Sequence, residues 1–86
     1  MERLQTLYGS FNVYVNKLVS NEELQFHFSF VDQKNKLHIL LMQYSAGGWK
    51  IAERENQPGW IVALEGQMNN LIKNVFAAEY YLAKAS

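Results

Sequence analysis

Residues 24–31, LQFHFSFV, alternate apolar and polar positions: Leu24, Phe26, Phe28 and Phe30 point one way, Gln25, His27 and Ser29 the other. Successive side chains leave a pleated strand on opposite sides, so this is the period of a β-strand with one buried face. A face built of phenylalanine must be covered by a second layer, and the remaining chain has to supply it.

Three polar clusters punctuate the first half: SNEE at 20–23, DQKN at 32–35 and SAGG at 45–48. The runs around them, 11–19, 24–31, 36–44 and 49–54, read as strands. A four-residue loop at 20–23 pairs Val19 with Leu24 and sets Val15 opposite Phe28. A four-residue loop at 32–35 pairs Val31 with Lys36 and sets Phe28 opposite Ile39 and Phe26 opposite Leu41. A three-residue loop at 45–47, with Gly47 left-handed, sets Leu41 opposite Ile51. Together these registers put Phe11, Val13, Val15, Leu24, Phe26, Phe28, Phe30, Leu37, Ile39, Leu41, Trp49 and Ile51 on one face. A slip of one residue would turn half of that set to water.

After ENQPG the period changes. Ile61, Leu64, Met68, Leu71, Val75, Ala78 and Leu82 follow the three-and-four spacing of an amphipathic helix. Asn56 or Gln57 is placed to cap it, Pro58 is tolerated in its first turn, and Lys84 suits its C-terminal end. Gly66 weakens it by about 1 kcal/mol relative to alanine. A competing reading takes WIVAL, 60–64, as a fifth strand. The fold expected is therefore α+β: a four-stranded antiparallel β-meander packed on one face by a long C-terminal α-helix. It forms a single domain over 1–86, with the sheet at 11–54 and the helix at 58–84. Residues 1–9 are expected to form a short helix through Leu4 and Leu7, or to fray.

Composition narrows the function. Eight basic and eight acidic residues cancel, without the basic surplus that phosphate binding favours. No cysteine is available for disulfides or thiolate metal sites. The first ten residues, with Glu2 and Arg3, do not read as a signal peptide, and no apolar run is long enough to span a bilayer. A cytoplasmic protein is the expectation.

Little points to chemistry. In these registers His27 and His38 are diagonal neighbours on the outer face, with no cysteine or acid near them, and read as strand residues rather than metal ligands. Glu22, Glu23, Glu53 and Glu55 lie in turns and at strand ends, where carboxylates are ordinarily solvated. SAGG lacks the lysine and the following helix of a phosphate loop. Neither an enzyme nor a cofactor is expected.

Two surfaces exceed what a monomer core needs. The outer sheet face, with Tyr14, His27, His38, Leu40, Met42 and Tyr44, is too apolar for a fully wetted face and is the expected partner surface. The helix would span about 39 Å against about 30 Å for a nine-residue strand, so its end projects. Phe76, Ala77, Tyr80 and Tyr81 are therefore the expected dimer contacts, unless Leu4, Leu7 and Tyr8 cover them. The reading is a small non-catalytic protein-interaction module, homodimeric, that binds a protein partner through either surface. The alternative is a single-stranded nucleic-acid-binding domain with Tyr14, Tyr44, His27 and Lys50 as a stacking platform.

Overall fold

A computed structural model of the chain describes residues 2–6, 9–45 and 47–85, the last two as main chain only. The phenylalanine strand is the middle one of five. β1 (Glu2–Thr6), β2 (Gly9–Ser20), β3 (Glu23–Val31), β4 (Leu37–Ser45) and β5 (Gly48–Ile51) form an antiparallel meander in chain order. A 3-10 turn, Arg54–Asn56, leads to α1 (Gly59–Val62), α2 (Glu65–Val75) and α3 (Ala77–Ala85). The α+β class and the meander match expectation, and the sheet has one strand more. That strand is β1, so Glu2–Thr6 is not the short helix expected there. Leu4 anchors it, fully buried opposite Phe11.

The β2–β3 register agrees with the sequence reading, with Val15 opposite Phe28. The loop is only two residues, Asn21 and Glu22, both left-handed at φ 52° and 67°. This is the mirror-image turn whose twist matches a hairpin. Shortening a four-residue loop to two adds a pair at its mouth and leaves the register unchanged.

The β3–β4 hairpin departs from expectation by one residue. Phe28 faces Leu40 and Phe26 faces Met42, so Leu40 and Met42 are buried while Ile39 is 62% exposed. Turn chemistry is the cause. The Asp32 carboxylate accepts the N–H groups of Lys34 (2.8 Å) and Lys36 (3.0 Å), and Asn35 N–H reaches the Asp32 carbonyl at 3.0 Å. Asn35 then takes the left-handed conformation, φ 61°, and Asp32 N–H bonds the Lys36 carbonyl at 2.9 Å. The loop thus holds three residues, a type I turn closed by a left-handed one. An odd loop exchanges the two faces of β4. The β4–β5 turn shifts by one as well, with Ser45 opposite Gly48 and Gly47 at φ 81°. The second slip compensates the first, and Trp49 and Ile51 are buried as expected.

The C-terminal segment is not a strand at WIVAL: Trp60–Val62 belong to α1 and Ala63 and Leu64 form the turn into α2, so three helices stand where a single rod was expected. Pro58 occupies the first cap position, and neither Asn56 nor Gln57 makes a side-chain cap bond there. The Lys84 side chain, expected to favour the C-terminal end, lies outside the described residues. Ile61, Leu64, Met68 and Ile72 form the buried stripe. At Phe76 (φ −125°, ψ 53°) the helical path breaks. The Phe76 ring packs on Phe26 with centroids 5.0 Å apart, and α3 turns back toward the sheet. Asn69 Nδ2 donates to Tyr80 Oη at 3.2 Å. Eleven residues of straight helix would hold those two about 16 Å apart along the axis, beyond their combined reach, so the bend makes the bond.

Helix α2 also spans the two edges of the sheet. Gln67 accepts the Gln5 N–H (2.8 Å) and donates to the Gln5 carbonyl (2.6 Å) on β1. Glu65 accepts the Ile51 N–H (3.0 Å) on β5. Two side chains of one helical turn reach the first and last strands, which requires the sheet to curl around its phenylalanines.

Candidate interaction surface

Even-numbered residues of β2 and odd-numbered residues of β3 and β4 face away from the helices. Register aligns them in rows: Tyr14, Ser29 and Ile39 across three strands, then Asn16, His27 and Leu41, with Val31 opposite Leu37. Tyr14 is 56%, Val31 49%, Leu37 59% and Ile39 62% exposed. Neighbouring strands lie about 4.8 Å apart, so these four side chains border one another across Ser29. The patch is flanked by a shallow depression lined by Ser10, Asn12, Tyr14, Ser29, Val31 and Leu37.

Tyr14 and His27 stand on this face as expected. The one-residue shift in β4 carries the other expected contact residues inside. Leu40 and Met42 are core, and Tyr44 packs edge-on against Trp49 at 5.5 Å. His38 is half-buried between Phe30 (5.2 Å) and Trp60 (5.3 Å), with Nε2 donating to Asp32 Oδ2 at 2.8 Å. The two histidines therefore lie on opposite faces. Val31, Leu37 and Ile39 form the outer patch in their place. Sequence alternation could not find them, because β4 is apolar on both faces.

The expected dimer contacts divide similarly. Phe76 packs in the core and Tyr80 is 7% exposed, whereas Ala77 and Tyr81 remain at the surface. Leu7 and Tyr8, expected as their cover, lie outside the described residues.

The ionisable groups knit the fold. The Asp32 carboxyl is lowered to about 2, chiefly by its hydrogen bond with His38 and then by the Lys36 N–H. Glu79, in the first turn of α3, is held below the usual carboxylate range by its own backbone N–H and by Lys17 at 3.2 Å. Glu65 sits beside Arg54 (3.5 Å) and Lys50 (3.9 Å) while it holds the Ile51 N–H. Among the described residues no three His, Cys, Asp or Glu side chains are grouped to hold a metal, and no helix is long and apolar enough to cross a membrane.

At the far end, Leu24, Tyr44, Trp49, Glu79, Leu82 and Ala83 line an open groove of about 790 Å³ between the hairpin tips and α3. Trp49 Nε1 is buried and finds no acceptor among the described residues. No family model, curated protein or solved structure matches the chain.

Proposed function

We propose that this chain is a small non-catalytic protein-interaction module, homodimeric, that binds a protein partner through its outer sheet face. The observation that carries the reading is the contiguity of Tyr14, Val31, Leu37 and Ile39, each about half exposed or more. Such adjacency of large apolar side chains on one wetted face favours docking over solvation. A sheet with one wet side needs only polar residues there, and Thr or Lys at 37 and 39 would serve the fold equally well. A cytoplasmic setting goes with this reading on sequence grounds.

The exposed apolar residues of the C-terminal helices, Val75, Tyr81 and Leu82, are less contiguous than the sheet patch, and so the sheet face is preferred. The nucleic-acid alternative loses a member of its platform, because Tyr44 lies on the inner face with Trp49.

The test is the triple variant Tyr14→Ser, Leu37→Ser, Ile39→Ser. It is expected to keep the far-ultraviolet spectrum of the native chain. A protein captured by the native chain is then purified and titrated against both forms. At least a tenfold loss of affinity in the variant is expected, and equal affinity would remove the sheet face as the docking surface.

A further inference from the structure

Strand β2 is twelve residues long, but β1 pairs with only its first five, Gly9 to Val13. In an antiparallel ladder each residue directs both main-chain groups to one neighbour, and the direction alternates along the strand. Ser20 and Glu23 close the two-residue turn, so Ser20, Leu18, Asn16 and Tyr14 bond toward β3. Val15, Lys17 and Val19 therefore direct their N–H and C=O groups the other way, beyond the end of β1. Among the described residues no strand lies there. From Asn16 onward the side chains of this stretch are exposed too, Val19 by 65% and Leu18 by 38%.

The contrast with the rest of the sheet gives this edge its meaning. On β1 the outward N–H and C=O of Gln5 are met by Gln67, and the outward N–H of Ile51 on β5 is met by Glu65. β4 also overruns its neighbour, but only at Leu37 and Ile39. The edge of β2 is the longer one, β-branched and apolar at intervals, and among the described residues no side chain stands in for a neighbouring strand. Unpaired edges of this kind recruit another strand.

We infer that the occupant is a second copy of this chain, its β2 antiparallel to the first across a two-fold axis at Leu18. This rests on the homodimeric reading above and assigns its interface. A copy related by a two-fold axis offers the same donors and acceptors at the same spacing, so each strand satisfies the other. Charge selects the register. An axis at Lys17 would set two ammonium groups face to face, which is unfavourable. An axis at Asn16 would claim Val13, whose outward groups already bond Glu2. An axis at Leu18 sets Lys17 opposite the partner's Val19, and Asn16 opposite the partner's Ser20. Lys17 keeps Glu79 on its own subunit. About four main-chain hydrogen bonds form, and two five-stranded sheets become one with both outer patches on the same side.

The chain has no cysteine, which makes the geometry directly testable. Leu18 would meet its own copy in a non-hydrogen-bonded pair, where Cα atoms lie about 4.5 Å apart, within the span of a disulfide. Light scattering behind a sizing column is expected to give twice the chain mass for the native protein. Leu18→Cys is expected to convert to a covalent dimer in an oxidised glutathione buffer, whereas Asn16→Cys, facing serine, stays a free thiol. Adding Val19→Pro, which deletes an outward N–H without touching β3, is expected to abolish the cross-link with the circular dichroism unchanged. A native dimer in which Leu18→Cys fails to cross-link, or Asn16→Cys cross-links equally, overturns this interface and leaves the homodimer standing. A monomer at every concentration overturns both.

Discussion

Gln67 closes on the main chain of Gln5 with both halves of its carboxamide, accepting the N–H at 2.8 Å and donating to the carbonyl at 2.6 Å. A glutamine on a helix thereby imitates the next strand of a sheet. Two positions earlier on the same helix, Glu65 accepts the Ile51 N–H at the opposite edge. The helix thus covers the phenylalanine face and also terminates the ladder at both ends, which limits strand addition at β1 and β5.

Removing that surrogate should loosen β1 selectively. Gln67→Ala leaves two main-chain groups of Gln5 to water, and the two bonds together contribute about 1–2 kcal/mol. Amide exchange at Gln5 is expected to accelerate while the β3 amides stay protected. Gln67→Glu keeps the acceptor, loses the donor, and is expected to fall between the two. Uniform exchange across the sheet in Gln67→Ala would show that the pair has no local role.

The register of β4 is tested by two adjacent alanines. Leu40 is 3% exposed and Ile39 62% exposed. Leu40→Ala should therefore cost about 2–5 kcal/mol of unfolding free energy, as buried leucines do. Ile39→Ala should cost about 1 kcal/mol or less, the range of exposed strand positions. Urea midpoints decide it, and the opposite ranking would restore the register that a four-residue loop at 32–35 implies.

That pair also marks how far the sequence could be read. β2 and β3 each have one apolar and one polar face, so their pairing was legible, and loops of two or four residues lead to the same register. β4 is apolar on both faces, with Leu37, Ile39 and Leu41 on one and Leu40 and Met42 on the other. Alternation therefore carries no information there, and the decision passes to the left-handed Asn35. The candidate surface inherits that ambiguity: Tyr14 and His27 lie on the outer face, while Leu40 and Met42 change places with Leu37 and Ile39. β1 was hidden because a five-residue strand needs only one buried anchor, Leu4. The bend at Phe76 was hidden because neither glycine nor proline marks it. It follows from packing on Phe26, a long-range contact that periodicity cannot report.

Two exchanges of opposite sense follow from backbone conformation. Glu22 holds φ 67° in the β2–β3 turn, a region that costs a side chain about 1 kcal/mol and glycine nothing. Glu22→Gly creates the favoured Asn-Gly pair and should stabilise by about 0.5–1 kcal/mol. Gly66 lies within α2, and a Cβ there meets no atom within 4 Å. Gly66→Ala should stabilise by a similar amount, about 0.5–1 kcal/mol, through helix propensity and a less flexible unfolded chain. Calorimetry is expected to show both melting temperatures raised and the gains additive, since the sites share no partner. A fall in either case would mean the local backbone differs from the one described.

Acid should unfasten the β3–β4 turn. The Asp32 carboxyl is lowered to about 2 from an ordinary 3.8, with the His38 hydrogen bond the largest cause and the Lys36 N–H next. A group whose folded pKa is depressed contributes stability that is fully present above the unfolded value and lost as pH falls toward the folded one. The contribution of Asp32 should therefore hold above about pH 4 and disappear between about pH 4 and 2. Asp32→Asn removes the titrating group while keeping a side-chain acceptor for the Lys34 and Lys36 N–H groups. Urea midpoints measured from neutral pH downward should place the variant below the native chain at pH 5 to 7, with the two curves converging in that acid window. Parallel curves through it would show that Asp32 titrates alike in the folded and unfolded chain, and that its bond to His38 does not hold the turn.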